Sequence, residues 1–407
     1  MCIGMTLNDT QKALLTLLAQ ALWGNGGALV EADWEQVEEL AKDQGVLPML
    51  YRGAMKYKDI IPAERIRIWR GAMYAAVLQN EHMNQAQSEI LDWLAAKGIR
   101  AAILKGASVA RYYTPSDIRY LGDIDLLIDQ VNLNLASEVL KEHDYKLNEH
   151  EHDFHVSFVR DDVTLELHYK ASVVPAGKGG QVAAKHMDLF LDEATPVGMN
   201  DVSFPALSEQ HQALMLLMHM ERHVIAGGIG LRQLFDWAVY LSAQKNSTVM
   251  DNVVHMFREC GLLTFAQVVT KVCVRYLGLQ EEHVEWCLVA ENALVDALME
   301  DVFRSGNMGK ADRQGDSELF AGRAMLNDKS QGVIKSLILN LNKLANRHFP
   351  ITIRCKWLLP IFWFYLPLRY IVRSLFGLRK KKNVLRALKQ SNKRFELHKG
   401  LHLYEVE

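Results

Sequence analysis

Two aspartates separated by one residue, Asp123 and Asp125, lie in the stretch LKGASVARYYTPSDIRYLGDIDLLID. Alternate side chains of a strand share a face, so these carboxylates point the same way while Ile124 and Leu126 turn into the core. Like charges side by side repel. That face is therefore either bathed in water or built to take something positive. A third carboxylate follows in VTLELHY, where Val163, Leu165, Leu167 and Tyr169 form an apolar face and Thr164, Glu166 and His168 the opposite one. If the two strands are neighbours, Glu166 joins the aspartates. Three converging carboxylates make an oxygen-rich site for Mg²⁺, with Mn²⁺ as an alternative. Such a site can hold two ions about 4 Å apart for in-line phosphoryl transfer.

Upstream, Gly106 lets a phosphate approach the backbone closely, and a helix starting at Ala107 would turn its N-terminus to negative charge. Lys105, at a strand end, either steadies phosphate or is a solvated charge. Arg119, four residues before Asp123, either contacts triphosphate or pairs with Asp117. A D-x-D pair alone is common on an exposed strand. The glycine turn before it and the glutamate after it make phosphate chemistry the better reading.

Taken together, LKG, R-x-x-GDIDLL and LELHY resemble the uncharacterised nucleotidyltransferase family of the polymerase-β-like superfamily, over Leu104 to Tyr169. LMLLMHMERH followed by GIGLRQLFDWAVYL is similar to that family's helical second part. The wider superfamily usually has Gly-Gly or Gly-Ser at the turn. Here Lys105-Gly106-Ala107-Ser108 stands there, with Ser108 in the place of the phosphate-contacting serine. The resemblance implies that Asp123 and Asp125 ligate the metals, and that Glu166 completes the site and helps deprotonate an acceptor hydroxyl. Lys105, Gly106, Ser108 and Arg119 would bind the nucleotide. Arg232 and Asp236, four apart and able to pair on a helix surface, would help close the site. The implied reaction is attack by an acceptor on the α-phosphorus of a nucleoside triphosphate, with pyrophosphate leaving.

The elements that must position these groups follow from pattern. Residues 7–98 read as helices, with a cap at Asn8, Asp9 or Thr10 and a stop at Gly98. Strands are expected at Ile99–Leu104 and Tyr120–Asp129, short helices at Ala107–Tyr113 and Val131–His143, and a hairpin turning at Arg160-Asp161-Asp162. Val174–Gln181 reads as a Gly- and Pro-rich loop, Ser208–Met299 as helices, and Asp301–Gln331 as a polar loop. The expected fold is α+β: a small mixed-sheet nucleotidyltransferase core with helices before it and a helical domain after it. The boundaries expected are 1–98, 99–205, 206–345, and a basic aromatic segment at 346–407.

The 407 residues suit more than one core. Five scattered cysteines without a C-x-x-C pair argue against disulfides and a thiolate zinc site. The N-terminus lacks a basic stretch followed by an apolar run, so a cytoplasmic protein is expected. His219 and His223 are four apart, yet Met220 stands where an HExxH protease needs glutamate. His150, His152 and His155 form no metal-ligand spacing and read as polar or site-edge histidines. The net charge of −2 conceals an acidic body of −12 and, from Ile351 onward, a tail with 13 Lys/Arg against 3 Glu. Trp357–Leu368 is too short to span a bilayer. With Arg379–Lys382 behind it, the segment 357–382 suits either peripheral contact with the inner membrane face or a buried helix with a basic end. Basic residues alone give no base readout, so nucleic acid is not the expected partner. The competing function is a non-catalytic nucleotide- or partner-binding protein on the same fold, such as a membrane-surface factor in polysaccharide biosynthesis.

Overall fold

In the computed structural model the GDIDLL and LELHY stretches lie on adjacent strands of one seven-stranded mixed sheet. The structure describes residues 5–307 apart from 152, 153, 176, 201, 245 and 283, then 342, 345, 349, 351–363, 365 and 393–406. Four helices precede the sheet: α1 (Asp9–Trp23), α2 (Trp34–Asp43), α3 (Leu50–Ala54) and α4 (Ala63–Ala96). Asn8 caps α1 in a reciprocal capping box with Gln11. Gly98, at φ +70°, follows the end of α4.

The sheet segment runs β1 (Ala101–Ile103), α5 (Ala107–Ala110), β2 (Ile124–Ile128), α6 (Leu133–Glu142), β3 (Lys146–Glu151), β4 (His155–Arg160), β5 (Val163–His168), α7 (Gly177–Asp188), β6 (Thr195–Met199) and β7 (Val202–Ala206). Strand order is β3-β4-β5-β2-β1-β7-β6. β2 is parallel to β5 and antiparallel to β1, and β1 is parallel to β7. Five helices follow: α8 (Glu209–Ala226), α9 (Leu231–Ala243), α10 (Ser247–Glu259), α11 (Leu263–Leu277) and α12 (Asn292–Ser305). The fold is thus α+β with a mixed sheet, as the sequence leads one to expect.

Several expectations are corrected. β3, β6 and β7 were not foreseen; β3, KLNEHE, has one apolar residue, β6, TPVGM, carries both Pro and Gly, and β7, VSFPA, alternates but carries Pro205. The expected loop at Val174–Gln181 runs into α7, whose Gly179 and Gly180 are buried against Cys260 and Pro175 backbone where a side chain would clash. Asp301–Ser305, expected as loop, completes α12. The remainder of that polar stretch, and the basic run Arg379–Lys382, lie outside the described residues.

Each face of the sheet meets a different core. On one, Ile124, Leu126, Ile128, Leu165 and Leu167 pack with Met83, Ile90 and Leu94 of α4 and with Val139 and Leu140 of α6. The other core joins α1–α3 to α8–α12, so the N-terminal and C-terminal helices share one interior. Leu397, Leu401, Leu403 and Tyr404 return from the C-terminal segment into that interior. Trp357 is 74% exposed, and among the described residues no helix is long and apolar enough to cross a membrane.

The loop leading to Asp123 is held from below. Asn80, inside α4 and 2% exposed, donates to the carbonyls of Asp117 and Arg119 and accepts from the Leu121 amide. Asn80→Ala leaves these buried backbone groups without partners, at about 1–3 kcal/mol for each fully unsatisfied group. Urea unfolding is expected to show a loss of about 3 kcal/mol; an unchanged midpoint would mean that the loop holds itself.

Candidate active site

Alternation along β2 and β5 sends Ile124, Leu126, Ile128, Val163, Leu165 and Leu167 to the α4/α6 core, and Asp125, Leu127, Glu166 and His168 to the other face. Asp125 pairs in register with Glu166, and Asp123 lies just ahead of β2. Asp123, Asp125 and Glu166 each place a carboxylate oxygen within 4.8 Å of the other two. Asp125 is 2% exposed, so the repulsion is not relieved by water.

It is relieved unequally. Asp125 Oδ1 lies 2.7 Å from Lys105 Nζ and 3.1 Å from His168 Nε2. Burial alone would raise its carboxyl, but Lys105 and His168 outweigh burial and hold it well below the usual range. Burial would likewise raise Glu166, yet His168, 3.4 Å from Oε2, lowers it. Asp123 has neither hydrogen-bond nor ion-pair partner among the described residues. The adjacent Asp125 charge, then burial, push its carboxyl upward. An unpaired acid beside two ionised ones is the hard-oxygen donor set that a divalent cation fits.

The groups read from the sequence are distributed as follows. Lys105 is 8% exposed and committed to Asp125, so it is not a solvated charge. Gly106 borders the cleft at φ +66°, ψ −111°, a backbone state that favours glycine. The helix after it, α5, has four residues, all buried, and too short a run of peptides for a strong terminal dipole. Ser108 is 0% exposed and is not among the residues lining the cleft. Arg119 pairs not with Asp117 but with Asp236, through Nε–Oδ1 and Nη2–Oδ2 bonds of 2.8 Å each. Tyr113 adds a third bond to Asp236 Oδ1 at 2.8 Å. The expected Arg232–Asp236 helix pair is therefore absent. Asp236 is spent on the sheet side, which leaves Arg232 free to face the cleft.

The space in that cleft and in the open solvent at its mouth together is about 640 Å³. The carboxylates form one wall. Arg222 and His219 of α8 and Arg232 of α9 form its helical wall. Burial depresses His219 well below its ordinary value and His223 to about 3, so both rings are neutral at pH 7. Positive charge on this wall comes from the arginines. Arg222 lies over the Phe154 ring at 4.9 Å, and the Arg232 guanidinium has no hydrogen-bond partner among the described residues. Gln44, 0% exposed, fixes the start of α9 by accepting from the Leu231 amide at 2.8 Å and donating to Val302 at 3.0 Å.

Asn80, Tyr113, Arg222 and Gln44 were not singled out from sequence. His168 was placed on the polar face without a role, and its position two residues after Glu166 is the signal for it. Of the first histidine cluster, His155 lies beside Glu166, whereas His152 is outside the described residues.

The unequal compensation gives opposite stability effects. Because the folded state raises the Asp123 carboxyl, its ionisation at pH 7 opposes folding, and Asp123→Asn should raise the unfolding midpoint in EDTA. Asp125→Asn strands Lys105 and His168 and should cost about 3 kcal/mol at pH 7. That deficit should shrink as pH falls through the depressed Asp125 value, where the wild type loses the same stabilisation. If both variants shift denaturation in one direction, the assignment of charges is wrong.

The site is thus a sheet-borne carboxylate triad behind a glycine bend, in one cleft with an arginine-bearing helical pair. Neither curated proteins nor solved structures gave a match. The profile described as "Uncharacterised nucleotidyltransferase" matches residues 30–278, which span the triad, the glycine bend and both arginine-bearing helices. With more than half its length matched, the chain belongs to this nucleotidyltransferase family.

Proposed function

We propose that the protein transfers a nucleoside monophosphate from a nucleoside triphosphate to a hydroxyl acceptor, which is a small molecule, a sugar or a protein. The observation that carries this reading is that carboxylates and unpaired arginines line one cleft. Three carboxylates suited to a hard cation share it with Arg222 and Arg232, whose charges are not spent on any carboxylate among the described residues. A triphosphate with its divalent cation complements both walls at once.

Asp123, Asp125 and Glu166 are the residues that would hold Mg²⁺ or Mn²⁺. When bound, the cation would neutralise charge developing on the phosphates during in-line displacement. Arg222 and Arg232 would take the β- and γ-phosphate oxygens, orienting pyrophosphate as the leaving group. Gly106 admits a phosphate beside its backbone. Lys105 keeps Asp125 ionised and in place. Glu166, held ionised by His168, would accept the hydrogen bond of the acceptor hydroxyl. As the oxygen–phosphorus bond forms, that proton passes to the carboxylate and the bond from the α-phosphorus to the bridging oxygen breaks. Arg119 acts on structure, since Asp236, itself held by the Tyr113 hydroxyl, occupies it.

The test is pyrophosphate release from each of the four NTPs with cell extract as the source of acceptor, and the mass of the labelled product identifies that acceptor. Wild type is expected to release pyrophosphate in a Mg²⁺-dependent manner and Asp123→Ala is not. Arg222→Ala and Arg232→Ala should raise the KM for triphosphate about ten- to hundredfold, the worth of a hydrogen bond between charged groups. Nucleotide binding without release above the Asp123→Ala level, in any acceptor mixture, would instead assign a binding protein to this fold.

A further inference from the structure

Two histidines of the sheet have no ligand role in the reaction above. His155, 4% exposed, opens β4 and pairs in register with His168 of β5, 1% exposed. Both rings turn to the face that carries Glu166, with centroids 4.9 Å apart. His168 Nε2 lies 3.4 Å, and His155 Nδ1 3.6 Å, from the same oxygen, Glu166 Oε2. Donor atoms around a tetrahedral ion with bonds of about 2.0–2.1 Å stand about 3.3 Å apart. One oxygen and two imidazole nitrogens thus already have nearly the spacing of ligands sharing an ion. One donor from each of the three residues lies within 4.8 Å of the other two.

The donor chemistry differs from that of the carboxylate triad. Imidazole suits first-row transition ions, whereas Mg²⁺ keeps to oxygen and water. The site is also enclosed by the fold. Phe154 packs edge-on to His155 at 4.6 Å, and Asp125 Oδ1 is 3.1 Å from His168 Nε2, placed as a fourth donor or as a bridge between the two sites.

We propose that His155, Glu166 and His168 form a second metal site, selective for a first-row transition ion such as Zn²⁺ or Co²⁺ over Mg²⁺. The two sites share Glu166, which becomes a bridging carboxylate. An ion at the histidine site fixes the rotamer of Glu166 and withdraws charge from it, and so governs how the neighbouring oxygen site is filled. This inference requires the side-chain geometry alone, not nucleotidyl transfer.

The probe is Co²⁺, whose visible absorption reports a low-coordinate nitrogen and oxygen environment. Full-length protein stripped by chelation and equilibrated with Co²⁺ in excess Mg²⁺ is expected to retain one equivalent with that absorption. Asp123→Asn should keep the equivalent while losing pyrophosphate release, which separates this site from the reaction. His155→Ala and His168→Ala should each lose it. His155→Gln, which retains a polar side chain of similar length, guards against a folding defect and should lose it too, with the far-ultraviolet circular dichroism of wild type. Co²⁺ retained equally by the histidine variants, or displaced from wild type by Mg²⁺, overturns the site and leaves the histidines as hydrogen-bond donors that position Glu166.

Discussion

Electrostatic repulsion among three carboxylates held on one sheet face is the constraint around which the molecule is arranged. In water such charges would cost little. Here Asp125 is 2% exposed, and the parallel pairing of β2 with β5 puts Glu166 directly beside it. The protein supplies Lys105 and His168 against Asp125 and leaves Asp123 uncompensated. Stability is therefore reduced at one residue, and that residue is where a cation gains most by binding. The folded protein is predisposed toward a positive ligand because its own neutralisation stops one charge short.

Holding that arrangement against the helical layer needs ties that are not themselves part of the chemistry. The Arg119–Asp236 fork, joined by Tyr113, binds the loop before Asp123 to α9. Gln212 of α8 donates to the Leu104 carbonyl, one residue ahead of Lys105, at 3.1 Å. These bonds connect each side of the cleft to the other at buried points, where polar groups leave few alternatives once paired. Arg222 and Arg232 consequently project across the gap from a fixed base. At the C-terminus, His398 and Arg394 reach the Val224 carbonyl and Tyr404 reaches Glu221, so residues 393–406 brace the same helix that carries Arg222.

Much of this was legible from residue order. Alternation in VTLELH and from Asp123 to Leu126 gives the two faces, and the D-x-D followed by Glu166 gives the triad, because strand periodicity is a local property. What stayed hidden was non-local. Arg119 could pair with a neighbour in sequence or with a residue more than a hundred positions away, and only the packing of α9 on the sheet selects Asp236. Asn80 reads as a polar surface residue of a long helix, yet it is buried by a loop that has no pattern of its own. β6 and β7 were missed since a hairpin at a sheet edge can form from Pro- and Gly-bearing segments once a core strand is there to pair with. α7 was missed for the converse reason: its glycines serve close backbone contact, not flexibility.

The most direct test of the account is a crystal grown with Mn²⁺ and a nucleoside triphosphate analogue that cannot be cleaved between the α- and β-phosphates. An anomalous Mn²⁺ peak bounded by Asp123, Asp125 and Glu166 is expected, with the β- and γ-phosphates turned toward Arg222 and Arg232. A nucleotide bound elsewhere, or a Mn²⁺ peak that none of those three carboxylates touches, would contradict it.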